Sequence, residues 1–127
     1  MPRILVVDDD AAVREVIQMQ LEMTGMEADT AANGRIALEK LCTSVVEGRP
    51  YDLVTLDIVM PELNGWQVLK AVKNNPLWQD IKVIVVSGEL QSAEDLTHII
   101  EYDGVFVEKR IGFTQDVGLI VQRILEA

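Results

Sequence analysis

Only one cysteine and one histidine stand in the 127 residues, so Cys42 has no partner for an internal disulfide and a zinc site has no ligand set. Cys42 falls in an amphipathic stretch and is expected as a buried thiol on a helix. Basic residues are scarce as well. Eleven Lys and Arg face 21 Asp and Glu, giving a formal charge of -10, and the basic residues do not cluster. A polyanion would be repelled, so direct nucleic-acid binding is not expected. Long apolar runs are missing too. No window approaches the roughly 18 uninterrupted apolar residues of a membrane span. The N-terminus, MPRILVVDDD, turns acidic before a signal-peptide core could form. The expectation is no membrane segment and a cytoplasmic location. Repeats, low-complexity tracts and interdomain linkers are absent, so one domain over residues 1–127 is expected. A hydrophobic content of 49% and a mean hydropathy of +0.17 suffice for one core.

What the chain does have is alternation. Arg3 to Val7, Leu53 to Leu56, Ile81 to Val86 and Val105 to Val107 are short, β-branched and apolar, as strands covered on both faces should be. Glu27 to Ala31 is weaker and reads as an edge strand. Between them lie helical patterns. The first is marked by Val13, Val16, Ile17 and Leu21, with Asp10 placed to cap it and Gly25 to end it. The second follows the Asn33-Gly34 turn, and the third stops before Pro76. Leu96, Ile99 and Ile100 mark the fourth, and Val117, Ile120, Val121, Ile124 and Leu125 the fifth. The segment from Thr43 to Pro50 reads as a helical extension plus a turn. Five strands alternating with five helices predict a parallel α/β sheet wrapped on both faces, because parallel neighbours need right-handed crossovers. In such folds ligands sit outside the carboxyl ends of the strands, where strand order reverses.

The residues at those ends are polar. Asp8, Asp9 and Asp10 follow the first strand, Asp57 the third, Ser87 and Gly88 the fourth, and Glu108, Lys109 and Arg110 the fifth. If the first and third strands are neighbours about 4.8 Å apart, Asp8, Asp9 and Asp57 crowd together and need a cation among them. Lys109 can neutralise one charge. A hard divalent ion such as Mg2+, with few protein ligands and waters, suits the rest. A carboxylate can also act as nucleophile toward a phosphoryl group while a metal and a lysine neutralise the arriving charge. Asp57 is best placed for attack, with Asp8 and Asp9 holding the metal. Ser87 is placed to donate a hydroxyl hydrogen bond to a phosphoryl oxygen and Lys109 to pair with another. Taken one at a time, plainer accounts are equally good: Asp10 as a helix cap with Asp8 and Asp9 solvated, Ser87 as a turn cap, Lys109 as a solvated charge. The combination shifts the weight toward a site.

These segments resemble the receiver domain of two-component response regulators, within the CheY-like superfamily. VVDDD at 6 to 10, ANGRIAL at 32 to 38, YDLVTLDIVMPELNGWQVL at 51 to 69, VIVVSG at 83 to 88 and DGVFVEK at 103 to 109 carry the likeness over essentially the whole chain. It implies a flavodoxin-like doubly wound fold with strand order 2-1-3-4-5. It implies a signalling switch rather than an enzyme in the ordinary sense, with Mg2+-dependent self-phosphorylation and self-dephosphorylation only. Asp57 would be the phosphoacceptor, and Asp8, Asp9, Asp57 and the carbonyl of Val59 the metal ligands. Lys109 would pair with the phosphate, and Ser87 and Phe106 would be the switch pair, although by itself Phe106 in VFV reads as core. Implied partners are a histidine kinase or histidine phosphotransfer protein, a downstream effector, and a second copy through the face of helix four, strand five and helix five.

Two residues depart from the family pattern. Arg110 stands where proline, joined by a cis bond, usually follows the lysine, so this loop either bears strain or runs trans. Gly88 stands where alanine is commoner, predicting a looser loop. His98 is expected as a solvated surface residue, and Trp66 and Trp78 as packing residues. A flavin or nucleotide binder would want a Gly/Ser/Thr-rich loop after the first strand, where DDD repels an anion. A phosphatase would want an acid at Val59. The ends of the chain fit a stand-alone regulator as well as a receiver within a larger regulator or hybrid kinase.

Overall fold

The computed structural model describes residues 1–60, 63–88 and 93–126. Among the described residues ten elements alternate: β1 (Arg3–Val7), α1 (Ala11–Met23), β2 (Glu27–Ala31), α2 (Gly34–Val46), β3 (Leu53–Leu56), α3 (Gly65–Asn74), β4 (Lys82–Ser87), α4 (Ala93–Glu101), β5 (Val105–Glu108) and α5 (Phe113–Glu126). All strand pairs are parallel, in the order β2-β1-β3-β4-β5. This is the expected doubly wound α/β sheet, with β2 at an edge.

Side-chain alternation along the strands divides the core in two. Leu5, Val7, Val54, Leu56, Val83 and Val85 point to one face, where Ala37, Leu41, Val68, Leu69, Val72 and Ile99 of α2, α3 and α4 cover them. Ile4, Val6, Leu53, Ile84 and Val86 point to the other, against Ile17 and Leu21 of α1 and Val117 and Val121 of α5. The strands therefore read as unbroken apolar runs because both faces are covered.

Helix boundaries follow the expected chemistry. The Asp10 side chain accepts from the backbone N–H groups of Ala12 and Val13, and Gly25, with φ of 83°, takes the left-handed turn after α1. The two Asn-Gly pairs share one device: Asn33 caps α2 and Asn64 caps α3, the latter in a reciprocal capping box with Gln67.

The structure corrects several expectations. Lys82 rather than Ile81 opens β4, because the N–H of Ile81 closes a turn onto Trp78. Both β4 and β5 run one residue further than expected, with Ser87 opposite Glu108 and the Lys109 N–H donating to the Ser87 carbonyl at 2.8 Å. Cys42 is exposed: Leu41 takes the core position on α2, and a step of 100° turns the next residue outward. Only Ile99 of the fourth-helix markers is buried; Leu96 and Ile100 face outward. Trp78 is buried and Trp66 is partly buried. Exposed His98 meets the Trp66 ring edge-on at 6.1 Å and the Glu101 carboxylate at 3.6 Å.

Candidate functional site

Chain order reverses direction between β1 and β3, so their carboxyl ends open the crevice that a parallel sheet offers to a ligand. The register pairs Val7 with Leu56, which brings the next residues, Asp8 and Asp57, side by side. Both are buried, at 1% and 5% exposure, whereas Asp9 faces solvent. One carboxylate oxygen from each of Asp8, Asp9 and Asp57 lies within 4.8 Å of the others. Three oxygen donors converging from two buried acids and one exposed acid fit a hard divalent cation that keeps part of its water shell.

Lys109 reaches into the same crevice from the end of β5. Its Nζ lies 2.7 Å from Asp8 Oδ2 and 3.3 Å from Asp57 Oδ2. Burial works against the ammonium, but Asp8 and Asp57 together outweigh it and raise the Lys109 pKa above 10.5. Burial, reinforced by the Asp8 charge, raises the Asp57 pKa above 3.8, against the opposing pull of Lys109 and the Val59 N–H. The site is thus short of positive charge even with the lysine in place. Lys109 makes these contacts with Arg110 behind it: the described residues contain no cis peptide bond, so the loop runs trans. Arg110 itself is exposed and lies 3.5 Å from Asp116.

The backbone that carries Asp57 is fixed from several directions. Its N–H donates to Val7 O at 3.0 Å, and its Oδ1 accepts from the Val59 N–H at 3.2 Å. The Val59 side chain is 64% exposed at the mouth of the crevice. Gly65, the first residue of α3, donates to Ile58 O at 3.0 Å. A Cβ at Gly65 would stand 2.2 Å from Asp57 O and 2.6 Å from Ile58 Cα. Glycine is needed there for close approach, not for an unusual φ. Pro61, which with Met60 is expected to end any helical continuation after Asp57, lies outside the described residues.

Ser87 ends β4 at 2% exposure, on the same sheet face as Val83 and Val85. Phe106 lies on that face too, opposite Val85, partly buried against the same core and bordering a groove formed with Leu119, Ile120 and Arg123 of α5. Sequence reading missed one contributor. Arg14 on α1 donates from Nη1 to the Asp8 carbonyl at 2.8 Å. Its one available signal was being the sole basic residue of that helix.

Comparison with known proteins agrees with this geometry. The model of the response regulator receiver domain matches residues 4–115. Chemotaxis protein CheV1 of Helicobacter pylori is 32% identical over 124 residues, covering 97% of this chain and 38% of that protein. The chain spans well under half the length of the curated relatives it matches. Among solved structures, the Vibrio cholerae chemotaxis protein CheY4 superposes with a TM-score of 0.82 at 25% identity, covering 97% of this chain and 98% of that one. The response regulator TrrA of Thermotoga maritima, solved in complex with Mg2+-BeF, gives 0.77 at 34% identity over 96% of this chain and 98% of that one.

Proposed function

This chain belongs to the response regulator receiver domain family of two-component signalling, and from that premise we propose that Asp57 is its phosphoacceptor. A carboxylate oxygen of Asp57 attacks the phosphorus of a phosphohistidine on a histidine kinase or histidine phosphotransfer protein. The P–O bond to Asp57 forms as the P–N bond breaks, and the imidazole leaves with the electron pair. The observation that carries this reading is the convergence of Asp8, Asp9 and Asp57 oxygens with the Lys109 ammonium on the two buried acids.

Asp8, Asp9, Asp57 and the Val59 carbonyl would hold Mg2+, whose charge would offset that of the incoming phosphoryl oxygens. Lys109 exchanges its contact with Asp57 for one with a phosphoryl oxygen. Ser87 donates its hydroxyl hydrogen to another. Because Ser87 and Phe106 share a sheet face, a shift of the hydroxyl frees space toward which the Phe106 ring turns. The change is relayed to the face of α4, β5 and α5, where Ile100, Val105 and Leu119 are exposed. A downstream effector or a second copy of the chain binds there. The single domain spans residues 1–127 and works in the cytoplasm, with no chemistry beyond its own phosphorylation and dephosphorylation. Among the described residues, no helix is long and apolar enough to cross a membrane.

Acetyl phosphate with Mg2+ tests the reading. Wild type gains the mass of one phosphoryl group, lost on mild alkaline hydrolysis as an acyl phosphate is, whereas Asp57→Asn gains none. An equal gain in both would remove Asp57 from the role.

A further inference from the structure

Arg14 is a cation beside an acidic loop that bonds to none of its acids. Among the described residues it has no carboxylate partner, although Asp8, Asp9 and Asp10 all stand on the loop it reaches. Its half-buried side chain leans back toward the start of α1, as helical side chains do, and places Nη1 on the Asp8 carbonyl at 2.8 Å.

That carbonyl belongs to the planar peptide joining Asp8 to Asp9, so holding it fixes the direction in which the chain leaves for Asp9. The two acids depend on this differently. The Asp8 N–H donates to Ala31 O at 3.2 Å, its Oδ1 accepts from the Asp10 N–H at 2.9 Å, and its Oδ2 pairs with Lys109 at 2.7 Å. Asp8 is therefore tethered with or without Arg14. The Asp9 side chain is exposed and, among the described residues, has no hydrogen-bond or ion-pair partner. Its placement beside Asp8 and Asp57 rests on its backbone alone. An arginine paired with Asp9 itself would compete with a metal ion; an arginine on the preceding carbonyl leaves that carboxylate free.

We infer that Arg14 is a positioning residue for divalent-cation binding: by holding the Asp8–Asp9 peptide it presents the otherwise untethered Asp9 carboxylate to the crevice. The inference rests on the reading of Asp8, Asp9 and Asp57 as the Mg2+ ligands proposed above. Partners that orient metal ligands commonly change affinity by 10- to 100-fold when lost, and Arg14 acts on one ligand of several, so the lower end applies.

The test is Mg2+ titration by calorimetry of wild type, Arg14→Met, Arg14→Lys and Asp9→Asn, with circular dichroism melts in chelator. Arg14→Met should weaken Mg2+ binding roughly tenfold with a metal-free melt close to wild type, while Arg14→Lys, which keeps a donor, recovers most of the affinity. Added to Asp9→Asn, Arg14→Met should cause little further loss, because both act through one carboxylate. Should Arg14→Met not fold, Arg14→Gln, too short to reach the carbonyl, takes its place in the same comparison. Unchanged affinity overturns the inference, and so does tighter binding, which is what removing a nearby positive charge alone would give. Wild type that binds no Mg2+ would instead overturn the metal-site reading beneath it.

Discussion

Asp57 sits where burial and the Asp8 charge both disfavour its ionised form. Because its folded pKa lies above the ordinary 3.8, the native chain holds this proton to higher pH than the unfolded chain. The stability contributed by Asp57 therefore falls as pH rises from 3.8 through the raised value, and stays lost above it. In metal-free protein, Asp57→Asn should be more stable than wild type at pH 7, on the order of 1 kcal/mol or a few degrees in Tm. The gap should close as pH is lowered toward 4. Lys109 has the opposite sense: its raised pKa contributes stability that is complete below 10.5 and disappears at higher pH. A second residue, Thr55, has a buried hydroxyl with no hydrogen-bond partner among the described residues. Thr55→Val should stabilise the chain by about 1 kcal/mol in urea titration without changing phosphorylation. At the crevice mouth, apolar Val59 offers nothing to orient an attacking water, so Val59→Asn should shorten the phosphoryl half-life, measured by loss of label after the donor is removed. The strand-end acids were legible because each closes an apolar run. Arg14 was not, because its partner is a backbone carbonyl, and Thr55 read as an ordinary strand residue.

Two glycines show how much the placement of an element can depend on one missing methyl group. In Gly65→Ala the new Cβ would meet the backbone of Asp57 and Ile58, which cannot yield as a flexible side chain can. The start of α3 would have to lift off β3, costing roughly 1–3 kcal/mol and slowing phosphorylation by displacing Asp57. At Gly88 a Cβ would meet nothing within 4 Å. Gly88→Ala should be neutral or stabilising by about 0.4–1 kcal/mol, because it restricts the unfolded chain. Chemical denaturation of the two variants measures both effects. The contact that requires glycine at Gly65 was not readable from the sequence, since it depends on where β3 lies. Cys42 was misread for a related reason: several neighbouring positions on α2 are apolar, and only the packed structure decides which of them faces the sheet. Leu96 and Ile100 likewise carry a helical spacing but turn away from the core.

On the scale of the whole molecule, alternation alone gave the parallel sheet, because each short β-branched run is covered on both faces and each amphipathic stretch supplies one cover. The order in which the strands lie came with the family resemblance, and that order brings Asp8 beside Asp57. If the crevice binds Mg2+, saturating metal stabilises the folded chain by mass action, about 2.7 kcal/mol at a hundredfold excess over Kd. Chelator should abolish this gain, and Asp9→Asn should show little of it in thermal melts. The family likeness extends across the sheet and both helical layers, but the exposed faces that would choose a partner carry no comparable pattern. One contact within a helical layer turns the chain into its own optical gauge. The Trp66 indole on α3 meets the His98 imidazole on α4 at 6.1 Å with planes 66° apart, while Trp78 is buried as a fixed background emitter. Any displacement of α4 relative to α3 changes the quencher facing Trp66 and hence the emission intensity, so beryllofluoride activation becomes visible in unlabelled protein and should vanish from the difference spectrum of Trp66→Phe.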